Sequence, residues 1–346
     1  MRRVLAVVAA AAMVVGSLAL RSRLDRDEVE SSQVLRLTCA TELKLPCEAM
    51  ESGDARIELT IEAAGTTADR LATTEGDLGL DGWLTTAPWP VIVDQQRQAT
   101  SLPPLFAAPG PTIARSPLVL AVWKDRAGVL NSRCGGSVGW KCLGEAAGTP
   151  GGWKTIGGQE SWGPVKLGHA PPASDGIGLL VLGQAAGGWF GRTDLASIDL
   201  EDEGFQGWFA NLERAVRASA GSPLETMLVT GRSTYDAAAT TEAEAGPLLS
   251  RSARGSEVDL LYPSPMATAD VVLASPTGDA DAPAALRREV QGSDGAEALA
   301  AAGWRVPGQE PADGVPDTPA LPDNSGLPSP GLLDALRTRW HEVTGK

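Results

Sequence analysis

Residues 56–62 (Arg-Ile-Glu-Leu-Thr-Ile-Glu) alternate polar and apolar side chains without a break, the pattern of a strand with one buried face. Residues 34–40 alternate less strictly and predict an earlier strand, followed by a helix through about Met50. Gly65-Thr66-Thr67 opens a short helix reaching Leu71 to Thr73, and Leu78 to Leu84 reads as a third strand. Ser116 to Trp123 is almost wholly apolar, which predicts a strand buried on both faces. Ile177 to Ala186 is helical. Phe205, Trp208, Phe209, Leu212 and Val216 recur at helical spacing, so 205–218 is an amphipathic helix. Pro223 starts a further helix that Gly231 stops. Tyr235–Ala239, Glu257–Tyr262 and Val271–Ala274 read as strands, while 284–302 and 331–343 read as helices. Two stretches carry no period: 133–163, rich in Gly and Trp, and 306–330, a proline-rich linker by composition.

Strands alternating with helices predict an α/β fold with a parallel sheet and crossover helices. In such sheets ligands gather at the carboxyl ends of strands. The stretch from Val165 to Gly178 is the clearest such junction: a strand, a proline-rich turn, then a helix opening on Ser174-Asp175-Gly176. A helix opening leaves backbone N–H groups facing whatever lies in front of it. A similar junction sits at Thr240-Thr241-Glu242-Ala243-Glu244, where Thr241 and Glu244 have capping-box spacing.

With 346 residues the chain is long enough for two domains. Acidic side chains number 43 against 29 basic ones, which argues against nucleic acid and anionic membrane surfaces as partners. The apolar run Val4–Leu20, flanked by Arg2-Arg3 and by Arg21 and Arg23, reads two ways: a cleaved signal peptide or an uncleaved membrane anchor. Both export residues 30 onward. The four cysteines fit that export, and local pairing of Cys39 with Cys47 and of Cys134 with Cys142 closes two short loops. Zinc would need closer cysteine spacing or histidine partners, and His169 and His341 lie far apart. No metal or cofactor is expected.

Enzymatic motifs fail on context. Gly135-Gly136-Ser137-Val138-Gly139 matches a nucleophile elbow as a string, but lacks the hydrophobic strand before it and the helix after it. His169 has no evident oriented partner that would let it activate Ser174. No metalloprotease, phosphate-loop or dinucleotide fingerprint is present, and the acidic run Asp199–Glu203 lacks the spacing of a calcium loop.

Four segments resemble the extracellular solute-binding proteins of the type II periplasmic-binding fold, particularly actinobacterial forms related to those fused to von Willebrand A domains. They are Lys166 to Gly178; Tyr262-Pro263; Cys134 to Cys142 with Trp153 and Gly157-Gly158; and Ala298-Leu299 through Gly303-Trp304-Arg305. The resemblance implies two α/β lobes joined by hinge strands around a central cleft. Lobe 1 would take 34–113 and 266–305, lobe 2 114–265, with 1–33 as signal or anchor plus linker and 331–346 as a C-terminal helix. It implies binding of a small polar solute or oxyanion rather than catalysis, with an ABC-type permease or a von Willebrand A domain protein as partner. The alternative is a membrane-anchored envelope interaction or sensory protein that keeps the fold without transport.

On this picture Thr41, Glu42, Gly65, Thr66, Thr67, Asp81 and Trp83 are the ligand candidates from lobe 1. Ser174, Asp175, Gly176, Thr240, Thr241 and Glu242 are those of lobe 2, and Tyr262 lies at the crossing. Each also has a plain structural role open to it. A Ser, Thr or Asp before a helix is an ordinary cap worth about 1 kcal/mol, Trp83 could pack in the core, and Tyr262 could brace the hinge.

Overall fold

A computed structural model describes residues 34–51, 56–106, 110–217, 221–277, 281–316 and 319–345. The apolar run Val4–Leu20 lies outside them. The spine of the fold is β4 (Ala114–Trp123), whose ten residues are buried almost throughout. Its first residues pair antiparallel with β8 (Thr268–Ala274), and its later ones with β6 (Ala237–Thr241) on one edge and β7 (Val258–Leu261) on the other. Beyond β8 come β3 (Gly82–Thr86), β1 (Leu35–Ala40) and β2 (Ile57–Glu62). Beyond β6 comes β5 (Leu167–Gly168). β1 runs parallel to both β2 and β3, and β8 inserts antiparallel between β3 and β4, so the sheet is mixed rather than all parallel. Two α/β halves thus share β4, and the chain crosses between them along β4 and again between β7 and β8.

Helices follow the strands in the first half as the periodicity predicts: α1 (Lys44–Glu51) after β1, α2 (Ala64–Thr73) after β2 and α3 (Pro88–Ala99) after β3. The third strand, however, begins at Gly82 rather than Leu78. The guanidinium of Arg36 pairs with Asp77 at 3.1 Å and with Asp81 at 2.9 Å, and Leu78 O accepts from Arg70 at 2.9 Å. These bonds hold 77–81 as a loop on the flank of β1.

In the second half, α4 (Lys124–Arg133) leads into the Gly- and Trp-rich stretch. That stretch is more ordered than its composition suggests, containing α5 (Trp140–Ala147) and short 3₁₀ turns. Its organiser is Asp236, nearly inaccessible, which accepts from Arg126 Nε at 3.0 Å, Trp153 Nε1 at 3.0 Å and Lys166 N at 2.9 Å. The Arg126 guanidinium lies 3.7 Å from the Trp162 ring centre, a cation–π contact in a dry setting. Both local disulfides form as expected, Cys39–Cys47 and Cys134–Cys142.

Then come α6 (Gly176–Phe190), α7 (Glu203–Ala215), α8 (Pro223–Thr230) and α9 (Glu242–Arg251). The predicted helix over 284–302 is two helices, α10 (Asp281–Gln291) and α11 (Ser293–Ala301), because the backbone at Gly292 is extended. The proline-rich segment after Arg305 is tied to the sheet. Arg115 donates to Pro322 O at 2.7 Å and Asn324 O at 2.8 Å, and Thr268 N donates to Ser325 O at 2.8 Å. It delivers α12 (Pro330–Thr344), capped by Ser329, which buries Leu332, Leu333, Leu336 and Trp340. Full burial of such side chains stabilises by about 1.5–3 kcal/mol each, so α12 belongs to the main core.

Candidate functional site

A cavity of about 670 Å³ opens between the two halves. From the first half come Thr41, Glu42 and Lys44, at the turn that leaves β1, and Trp304 from the closing segment. From the second come Ser174 and Asp175 at the start of α6, Ser222 and Glu225 at the start of α8, and Thr240, Thr241 and Glu244 where β6 passes into α9. Three helix N-termini therefore face one space. Each is capped from within: Asp175 Oδ1 accepts from Gly178 N at 2.9 Å, Ser222 Oγ from Glu225 N at 3.0 Å and Thr241 Oγ1 from Glu244 N at 3.2 Å. The capping box is half made, since the Glu244 carboxylate turns to the Thr240 hydroxyl instead of back to Thr241 N.

The lining is acidic. Glu42, Asp175, Glu225 and Glu244 supply carboxylates, against Lys44 and Arg251 as bases. Lys44 is exposed and lies 3.6 Å from Glu48, and Arg251 Nε donates to Pro247 O at 3.0 Å, so each base has a partner one turn away in its own helix. Glu42 Oε1 is sealed from solvent and accepts no hydrogen bond. Burial, reinforced by the facing charge of Asp175, pushes the Glu42 carboxyl up to about 8. Burial chiefly, with the charge of Glu244, raises Asp175 to about 6, against the pull of the Gly178 N–H. Carboxylates that belong to opposite lobes thus oppose each other's ionisation across the gap.

The halves touch beside the cavity. Gly65 N donates to Ser174 O at 2.8 Å, a direct bond between lobes. A Cβ on Gly65 would stand 2.2 Å from Ala173 O, so this approach requires glycine. The closed arrangement is built into that position.

Of the candidates read from the sequence, Thr41, Glu42, Ser174, Asp175, Thr240 and Thr241 line the cavity. Gly65 forms the lobe contact, and Gly176 lies against the Glu42 carboxylate. The others sit elsewhere. Thr66 is exposed, and Thr67 is buried and donates to Glu62 at 2.7 Å. Asp81 lies at the amino end of β3, paired with Arg36, on the opposite edge from the cavity. Trp83 is wholly buried with its ring 6.2 Å from that of Phe106. Glu242, fully buried, holds Arg305 Nε at 2.7 Å and the Tyr262 hydroxyl at 2.5 Å, a brace between the start of α9 and the chain's second crossing. That contact and burial raise the Tyr262 phenol above its usual range. These residues support the fold around the site instead of lining it.

The displaced third strand accounts for where Asp81 and Trp83 lie. The carboxyl end of β3 is Thr86, not Leu84, and it is followed by Pro88-Trp89. Thr85 and Thr86 hydroxyls and the Trp89 indole nitrogen are buried without hydrogen-bond partners. Trp89 Nε1 and Glu42 Oε1 both crowd the point where a Cβ on Gly176 would be, at 3.3 and 2.0 Å. Correctly placed, the carboxyl-end rule would have found Thr86 and Trp89. Ser222 and Glu225, ahead of a helix begun by Pro223, carried the same cap signal. Among the described residues, no group of three or more His, Cys, Asp or Glu is placed to hold a metal ion.

Two α/β lobes sharing crossing strands, with helix starts gathered around an interlobe cavity, define a periplasmic binding protein of type II, which binds solutes and does not transform them. The chain belongs to the bacterial extracellular solute-binding protein family, whose sequence pattern matches residues 48–305. Solved structures agree in fold. A periplasmic thiamin-binding protein superposes with a TM-score of 0.61 at 11% identity, covering 90% of this chain and 96% of that one. The apo ferric ion-binding protein A of Pasteurella haemolytica gives 0.58 at 11% over 90% and 96%. The sulfate-binding protein SubI of Mycobacterium tuberculosis H37Rv gives 0.51 at 14% over 80% and 88%. No curated protein sequence matches the chain.

Proposed function

We propose that the protein captures a small polar solute that carries positive charge, or an array of hydrogen-bond donors, by closing its lobes over the interlobe cavity outside the cytoplasm. An ABC-type permease is the recipient this reading implies. The observation that carries it is the lining: Glu42 from one lobe and Asp175, Glu225 and Glu244 from the other, against two bases that are each engaged within their own helix. A cationic or donor-rich solute would draw the raised Glu42 and Asp175 carboxyls into their ionised forms and be held by them, whereas an oxyanion would press them further toward the protonated forms. The names of the similar solved structures span both charges, sulfate and ferric ion, so this reading rests on the local chemistry instead. A ligand that bridges the lobes favours the closed state by its differential affinity for it.

The test is a melting-shift panel that sets primary and quaternary amines, polyols and amides against sulfate and phosphate. Saturable stabilisation by amine or donor-rich solutes, lost in Glu42→Gln, is the expected result. Stabilisation by sulfate or phosphate alone would overturn it. A second reading, an envelope interaction or sensory protein facing a permease-independent partner such as a von Willebrand A domain protein, draws support from the Gly65–Ser174 bond, a direct protein contact that holds the lobes together. A flat response to the whole panel would favour it.

A further inference from the structure

The segment after Arg305 lies outside the part of the chain that the family pattern matches, and it ends in a helix seated on both lobes. On the second lobe the seat is apolar and buried. Leu333 packs against Gly183 of α6, where an added Cβ would stand 2.5 Å from a Leu333 methyl. Trp340 Nε1 donates to Glu213 Oε2 of α7 at 2.8 Å, and both residues are nearly inaccessible. On the first lobe the helix adds polar bonds to its packing. Arg337 pairs with Asp69 of α2 at 3.3 Å, Gln96 of α3 donates to Asp334 at 3.2 Å, and the Arg337 guanidinium stands 5.6 Å from the Trp89 ring centre. Rotation of one lobe away from the other cannot preserve both sets of contacts.

We propose that α12 is a latch: a helix fixed to the second lobe that holds the first lobe closed through contacts able to break and remake. The asymmetry assigns the roles. Buried apolar packing keeps the helix where it is, while solvent-edge ion pairs and amide bonds cost little to exchange for water. The latch also reaches the binding residues from both sides. Arg337 rests on Trp89, whose indole nitrogen borders the Glu42–Gly176 contact. Trp340 shares the Glu213 carboxylate with His169, which opens the turn leading to Ser174. The latch is independent of the ligand's identity and of whether the protein serves transport.

The experiment measures one distance across the cavity mouth in the full, ligand-free chain. All four native cysteines are in disulfides, so spin labels go cleanly on Glu48→Cys of α1 and Val229→Cys of α8, both exposed. The parent should give one short, narrow distance distribution. Arg337→Glu, which sets like charges against Asp69 and Asp334, should lower the ratio of closed to open molecules about fivefold, the scale of a lost surface pair plus repulsion. Adding Asp69→Lys should restore the short distance. An unchanged distribution in Arg337→Glu, or a lengthening that Asp69→Lys leaves in place, overturns the latch. Leu333→Asp checks the anchor, with trypsin cleavage at Arg337 and Arg339 reporting release of the helix. A released helix with an unchanged label distance also overturns the proposal.

Discussion

Replacing Glu42 with Gln isolates the cost of the acidic cavity. Glutamine keeps the shape of the side chain and removes its charge. In the folded chain the Glu42 carboxyl is raised from 4.5 to about 8, so the folded state holds its proton over a range where the unfolded chain has lost it. A raised carboxyl stabilises the fold fully below the unfolded value, and that stability is lost as pH climbs through the folded one. The rise corresponds to a ceiling of about 5 kcal/mol lost by pH 9. The lobes can part and rehydrate the side chain, so the expressed share should be about 1–2 kcal/mol. Glu42→Gln should therefore melt about 1–3 °C higher than the parent at pH 8.5, and within about half a degree of it at pH 4.5. Thermal unfolding by circular dichroism across pH 4.5 to 9 measures this. An equal gain at both ends, or none at pH 8.5, would refute the reasoning that a dry carboxylate facing Asp175 destabilises the closed arrangement.

Three further outcomes follow from the same geometry. Asp175→Asn keeps a good N-cap for α6 and removes the charge facing Glu42, so it should return the Glu42 titration, followed by carboxyl NMR, toward the ordinary range. Gly65→Ala drives a methyl onto Ala173 O and should part the lobes, seen as a larger radius of gyration by small-angle scattering with unchanged helical content. His169 lies between Ala170 O at 2.8 Å and Glu213 Oε1 at 3.2 Å, and although burial opposes its charged form, Glu213 and the Ala170 carbonyl raise its pKa. Its contribution is present below about 6.5 and fades as pH rises through the raised folded value. Glu213→Ala strands both His169 and the Trp340 N–H; a loss of about 3–5 kcal/mol in urea unfolding is expected, with the high-pH fade abolished.

Much of this was legible from residue patterns because burial dictates periodicity. β2 is half-covered and alternates; β4 is covered on both faces and does not. The helix starts at Ser174-Asp175 and Thr241 announce themselves because caps are local chemistry. What the pattern could not disclose was long-range. Leu78 and Leu80 look like strand residues until Arg36, some forty positions away, binds the aspartates on either side of them. Trp89 looks like core until the lobes meet around it. The acidity of the cavity likewise depends on which carboxylates turn inward, and Glu42 and Glu244 lie far apart in sequence. Thr240-Thr241 was the converse case: the turn was found, although the strand before it runs two residues further than its composition suggested.

The bridge from Cys39 to Cys47 runs from the last turns of β1 into α1, and Thr41 and Glu42 lie within the loop it encloses. Oxidation thereby fixes the first lobe's contribution to the cavity, and closing so short a loop restricts the unfolded chain by about 2–3 kcal/mol. A newly made molecule, still in a reducing cytoplasm, carries that corner untethered. The placing of Thr41 and Glu42 at the cavity is thus tied to the redox state of a single bond.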